Sequence, residues 1–170
     1  MRRIGMSSEI FVEKICEEAV LPFYAHEGDA GMDLCSIDEY TIAPGQTILV
    51  HTGLKFAIPQ GLEVQIRPRS GISLNTPLRI PNAPGTIDSG YRGEICVIME
   101  NTSPESYSDS AEKTLSDKGN QKGPYRIRKG DRIAQMVVAR YETAVFQETD
   151  SVETIGSDRQ GGFGSTGVRS

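Results

Sequence analysis

The sequence is poor in cysteine, histidine, long apolar runs and surplus positive charge, and each shortage closes a class of function. Its three cysteines, Cys16, Cys35 and Cys96, are odd in number, far apart and without a Cys-x-x-Cys pair. A disulfide framework or a zinc knuckle is therefore disfavoured, and a reduced intracellular setting fits better. Only His26 and His51 are present, too few imidazoles for hydrolases that hold zinc with two or three; both read as ordinary surface or loop histidines. The start, Met1 to Ser7, is basic, but no apolar stretch of a secretion signal follows it. No run approaches the ~18 apolar residues of a membrane span. The expectation is a soluble protein with no membrane partner, cytoplasmic, or nuclear in a eukaryote. Lys+Arg number 18 against 23 Asp+Glu, a net charge of −5. That balance disfavours a broad face for nucleic acid, which needs many phosphate-neutralising cations, but leaves room for a local phosphate pocket.

What is present is turn and strand. The 170 residues, with 18 Gly and 9 Pro, suit one turn-rich domain. Leu62, Val64 and Ile66 alternate with Glu63, Gln65 and Arg67, the pattern of a strand with one apolar face. Ile48-Leu49-Val50 and Leu54 to Ile58 are further β-rich runs. Ile95 to Met99 is continuously apolar, which predicts a strand covered on both faces. Ile133 to Val138 is similar but contains Gln135, a polar residue that needs a partner or a task. No segment sustains a 3.6-residue apolar period, although Ser73-Leu74 fits a short helix after Ser70-Gly71. The fold class is all-β, a sandwich or barrel.

Two segments depart from this pattern. Thr102 to Pro124 is rich in Ser, Asp, Glu, Lys and Gly, and this composition predicts a mobile surface excursion. From Asp158 the chain turns glycine-rich, with Arg159, Ser165, Thr166 and free amides as phosphate donors. The organisation expected is a β-domain over 1–157, with a polar insertion at about 102–124, and a flexible C-terminal arm over 158–170.

Three further clusters could carry chemistry. Arg67-Pro68-Arg69-Ser70-Gly71 strings a guanidinium, a hydroxyl and a glycine amide into a compact anion site. Pro81 to Glu94 reads as a hairpin entered by the Pro84-Gly85 turn; Asp88 there could take a proton from water, and Tyr91 offers a ring to an apolar ligand surface. Ala30-Gly31-Met32-Asp33-Leu34 places one carboxylate among small and apolar neighbours, a donor suited to Mg²⁺ through water. Each cluster also has a bland reading: a surface arginine beside a polar turn, an Asx-turn aspartate with a half-buried tyrosine, and a local cap.

Together they are more specific. Ala30-Gly31-Met32-Asp33-Leu34, Arg69-Ser70-Gly71, Gly85 to Gly93, Gly130-Asp131-Arg132-Ile133-Ala134-Gln135 and Arg159-Gln160-Gly161-Gly162-Phe163-Gly164-Ser165 occur in that order. The set resembles the five motifs of the homotrimeric dUTP diphosphatases (dUTPases), from about Ile10 to Gly167. Thr102 to Pro124 is the departure, where that family has a short connection.

The resemblance implies a β-rich jelly roll assembled as a homotrimer with three shared active sites. It implies hydrolysis of dUTP to dUMP and pyrophosphate by water attack at the α-phosphorus, limiting uracil in DNA and supplying dUMP for dTMP synthesis. Mg²⁺ would sit on the triphosphate, with Asp33 holding metal-bound water. Asp88 would be the general base, and Tyr91 would pack against the deoxyribose and exclude a 2′-hydroxyl. Asn82 and the segment from Gly85, Thr86 and Ile87 through Ile98 and Met99 would read uracil. Arg69, Ser70 and Gly71 would hold phosphates, with Gln135 adding a contact. Arg159, Gly164, Ser165 and Thr166 would close on the γ-phosphate while Phe163 stacks over uracil. Asp131 and Arg132 would brace a turn. The competing readings are a related dCTP deaminase on a similar trimeric fold, disfavoured by Thr86-Ile87-Asp88 and Tyr91, and a jelly-roll module that binds nucleotide without turnover.

Overall fold

In the computed structural model, residues 7–107 and 110–157 are described. The chain opens with β1 (Phe11–Lys14), β2 (Phe23–Tyr24), β3 (Gly31–Cys35), β4 (Tyr40–Ile42), β5 (Thr47–His51), β6 (Leu54–Ala57) and β7 (Leu62–Arg67). A six-residue helix, α1 (Ser70–Asn75), follows. The remainder is β8 (Leu78–Arg79), β9 (Gly85–Ile87), β10 (Cys96–Asn101), β11 (Lys113–Thr114), β12 (Tyr125–Ile127) and β13 (Arg132–Arg140). The fold is all-β, as the alternating patterns and turn spacing predict.

A five-stranded sheet in the order β2-β3-β13-β7-β9 carries most of the residues singled out above. Smaller sheets, β5-β10-β8, β11-β12-β4 and β1-β6, complete the fold. Strand β7 realises its pattern: Leu62, Val64 and Ile66 are buried while Arg67 is exposed. They join Leu34, Ile133, Met136, Val97 and Tyr125 in one core. At about 25 cal/mol per Å² of apolar surface buried, these side chains are the main stabilising term.

Three expectations need correction. Strand β10 is not covered on both faces: Val97, Met99 and Asn101 are buried, whereas Cys96, Ile98 and Glu100 are only partly so. Pro81 to Glu94 is not one arm of a hairpin with β10. Strand β9 pairs with β7, and β10 pairs with β5 and β8, so the chain crosses between sheets there. Thr102 to Pro124 is also less of an excursion than its composition predicts. Ser103 is buried, β11 runs parallel to β12, and the Lys113 ammonium lies 5.9 Å from the Tyr107 ring.

Polar bonds hold this segment where apolar burial does not. Asn101, fully buried, donates from Nδ2 to the carbonyls of Ile42 (2.9 Å) and Gly123 (2.8 Å), and its Oδ1 accepts the Ser103 amide (3.0 Å). One side chain thus joins the end of β10, strand β4 and the return of the insertion. Asn101→Ala removes three hydrogen bonds from a buried site and should cost about 2–4 kcal/mol. The check is the urea midpoint at fixed protein concentration, with unchanged stability as the contrary result.

Candidate active site

The site begins with a sheet register. Gln135 on β13 lies opposite Asp33 on β3 and Arg67 on β7, so the three side chains fall in one row across adjacent strands. Asp33 is 3% exposed. An isolated carboxylate cannot remain charged there, and Asp33 is not isolated. Arg69 Nε donates to its Oδ1 at 3.0 Å, and Arg132 Nη1 donates to its Oδ2 at 3.0 Å. Arg69 also reaches the Arg132 carbonyl at 3.4 Å.

This arrangement assigns Arg132 differently from the local brace expected of Asp131-Arg132. Asp131 does fix the turn: its Oδ2 accepts the Arg128 amide at 2.8 Å, and Gly130 supplies the left-handed backbone with φ +84°. Arg132 instead turns to Asp33. Its part was missed because the nearest acidic residue in sequence is not the nearest in space. The polar residue inside β13 finds its place as well. Gln135 packs on Gly31, where a Cβ would lie 3.4 Å from the Gln135 amide carbon.

Ser70 and Gly71 open α1 directly after Arg69, and both are exposed. On the neighbouring edge, β9 brings Gly85, Thr86 and Ile87 alongside Ile66, Gln65 and Val64. Asn82 lies over Gly85, its Nδ2 3.3 Å from where a Cβ would stand. A recess of about 480 Å³ lies beside them, lined by Gln65, Arg67, Pro68, Ala83 and Pro84.

Asp88 and Tyr91 lie in the turn that crosses between sheets, closed by the Tyr91 amide on the Asp88 carbonyl at 3.0 Å. Among the described residues, the Asp88 carboxylate accepts no hydrogen bond, and its side chain is exposed. Tyr91 is pinned more firmly. Its hydroxyl donates to the Glu94 carbonyl at 3.0 Å, and a side chain at Gly93 would collide with that hydroxyl. Ile98 is partly buried and Met99 is 1% exposed in the core. The Met99 side chain therefore cannot present itself to a ligand, and only its main chain remains for that purpose. Arg159, Phe163, Gly164, Ser165 and Thr166 lie outside the described residues.

One cluster was not foreseen. His51 is no ordinary surface histidine: its Nδ1 lies 2.8 Å from Glu94 Oε2 and 3.5 Å from Cys96 Sγ. Burial works to raise the Glu94 carboxyl, but hydrogen bonds from His51 and the Gly53 amide outweigh it and leave it below the usual range. Burial and the neighbouring Glu94 push the Cys96 thiol up to about 11.

A sequence model of the dUTPase family matches residues 17–108, more than half of the chain. The chain belongs to the dUTPase family. The deoxyuridine 5′-triphosphate nucleotidohydrolase of Clostridium kluyveri is 44% identical over 161 residues, covering 94% of this chain and 99% of its own. That of Alkaliphilus metalliredigens is 44% identical over 163 residues, covering 94% and 98%. Among solved structures, Staphylococcus bacteriophage 80alpha dUTPase with dUpNHpp superposes with a TM-score of 0.85 at 29% identity, over 95% of this chain and all of that one. A mutant dUTPase from phage phi11 of S. aureus, which coordinates a structural Mg(II) ion, gives 0.77 at 27% identity, over 86% and 99%.

The Asp33 cluster bears on the Mg²⁺ role that the sequence motifs imply for this carboxylate. Both oxygens of Asp33 face guanidiniums, and the side chain is closed to solvent. It does not fit a ligand of Mg²⁺, which needs free oxygen donors and room for its waters.

The two arginines are 27% and 48% exposed, so they can turn to water if Asp33 is lost. Asp33 cannot do the same if they are lost. Asp33→Asn should cost about 1–3 kcal/mol, while the double replacement of Arg69 and Arg132 by Ala should cost more, about 3–5 kcal/mol. Adding Asp33→Asn to that double variant should recover part of the loss. Denaturant midpoints of the four proteins at one protomer concentration check the order, and an equal cost for both routes would contradict it.

Proposed function

We propose that the chain hydrolyses dUTP, presented with Mg²⁺ on its phosphates, to dUMP and pyrophosphate. Family membership over nearly the full length of its relatives carries this reading, and the disposition of the motif residues supports it. Asp88 is an exposed carboxylate with its acceptor sites open, at the end of a constrained turn. It orients a water and takes its proton as the oxygen attacks the α-phosphorus; pyrophosphate leaves. General base catalysis by a side chain supplies about 10²–10⁴-fold. The rest comes from positioning and charge stabilisation, as expected for phosphoryl transfer.

Arg69, Ser70 and Gly71 bind phosphate oxygens, and Gln135 adds a polar contact from β13. The Tyr91 ring, pinned by its own hydroxyl bond, packs against the deoxyribose and leaves no space for a 2′-hydroxyl. Asn82 and the main chain of Gly85, Thr86, Ile87, Ile98 and Met99 read the uracil edge. Arg159, Gly164, Ser165 and Thr166 close over the γ-phosphate, and Phe163 covers the base. Mg²⁺ on the phosphates would supply neutralising charge, and Asp33, buried against Arg69 and Arg132, would serve it indirectly and not as a ligand.

We also propose a homotrimer with sites shared between subunits, made of a β-domain over 1–157 and an arm over 158–170. Exposed Phe11, Leu21, Phe23 and Tyr24 are apolar surface of the kind a second copy covers. Phe146, 94% exposed near the end of the described chain, extends this argument. Among the described residues no helix is long and apolar enough to cross a membrane, and we place the activity in the cytoplasm.

Pyrophosphate release from dUTP, dTTP, dCTP and UTP tests the reading, with dUTP alone expected to turn over well. Ammonia from dCTP would favour a deaminase instead. Asp88→Asn should keep nucleotide affinity while kcat falls by about 10²-fold or more; near-normal turnover removes Asp88 from its role. Truncation before Arg159 should leave a folded assembly of low activity, because the site no longer excludes water. Full activity in the truncated protein would show that the tail takes no part.

A further inference from the structure

We propose that His51, Glu94 and Cys96 form a site for a divalent transition-metal ion of the zinc class, where β5 ends and β10 begins. Each offers one ligand atom, and these atoms all lie within 4.8 Å of one another. The placement is built into the ladder: Cys96 is the cross-strand partner of His51, and Glu94 lies two residues before it. The donors are one nitrogen, one oxygen and one sulfur. That mixture suits borderline-soft zinc and not Mg²⁺, which takes oxygen.

The spacing agrees with tetrahedral coordination. Zinc bonds of about 2.0–2.1 Å to nitrogen, 2.0–2.2 Å to oxygen and 2.3 Å to sulfur put the nitrogen and sulfur about 3.5 Å apart, and the nitrogen and oxygen about 3.3 Å apart. His51 Nδ1 and Cys96 Sγ are already 3.5 Å apart. His51 Nδ1 and Glu94 Oε2, at 2.8 Å, need only separate by about half an ångström to admit the ion. The other Glu94 oxygen is held by the Gly53 amide at 2.8 Å, the type of outer hydrogen bond that fixes a ligating carboxylate.

The His51 side chain is 42% exposed and that of Glu94 19%, which leaves an approach for the ion and a fourth position for water. On loading, the Cys96 sulfur–hydrogen bond gives way to a sulfur–metal bond and the proton passes to solvent. His51 binds as neutral imidazole through Nδ1 and Glu94 as carboxylate, so two anionic ligands balance the dication. The ion ties the end of β5 to the start of β10, immediately after the turn that carries Tyr91. This inference does not rest on dUTP hydrolysis.

The test uses the full-length assembled protein, stripped with a chelator and titrated with Co²⁺. One ion per chain is expected, with a thiolate-to-cobalt charge-transfer band that Zn²⁺ bleaches and excess Mg²⁺ does not. Cys96→Ser should abolish the band, and both it and His51→Ala should weaken binding at least tenfold. Absence of the band in the unaltered protein overturns the proposal, whatever becomes of the variants. So does undiminished binding by folded Cys96→Ser, or displacement of the ion by Mg²⁺.

Discussion

A carboxylate sealed in a β-sheet is the constraint around which the sheet end is arranged. At 3% exposure the Asp33 carboxylate meets two guanidiniums, one from just beyond β7 and one from the start of β13. These strands flank or form the centre of the five-stranded sheet, so the pairing fixes how their ends meet. Buried ion pairs add little net stability, because desolvation offsets attraction; what they impose is geometry. Here the geometry imposed is that of Arg69. A guanidinium already held at its Nε loses less freedom on meeting a ligand than one on a free stem.

How far this was legible follows from the range of the interactions. Alternation in Leu62 to Arg67, the short helix after Ser70, the turn fixed by Asp131 and the oddity of Gln135 are local patterns, and the structure contains each. Pairing is not local. Ile95 to Met99 looked covered on both faces because periodicity reports apolar content and not which sheet a strand joins. The segment from Pro81 looked like a hairpin because a Pro-Gly turn lay between two β-rich runs, yet β9 and β10 enter different sheets.

The same limit hid the partners of Arg132 and His51, which stand 99 and 43 positions from the carboxylates they meet. It also hid the packing of the segment after Thr102, where a single buried asparagine supplies bonds that apolar content would otherwise have to replace. The candidate catalytic residues were legible for a different reason. They stand in motif order, and family membership rests on sequence rather than on contacts.

In the proposed function the Asp33 cluster also sets how strongly a polyanion is held. Two guanidiniums shared with one buried carboxylate leave about one positive charge to face the phosphates. A fully cationic pocket would bind substrate more tightly, but in the proposed reaction the released pyrophosphate keeps most of the substrate's charge. Attraction felt equally by substrate and transition state lowers KM without raising kcat, and attraction that persists in the product retards its release. A half-neutralised Arg69 avoids that penalty while keeping its donors aimed. In the proposed reaction the remaining charge compensation would arrive with the substrate, as Mg²⁺ on its phosphates, or from groups that engage only on closure. On this argument an acidic chain of net charge −5 handles a triphosphate without a basic face, because its few cations are rationed by the carboxylate that positions them.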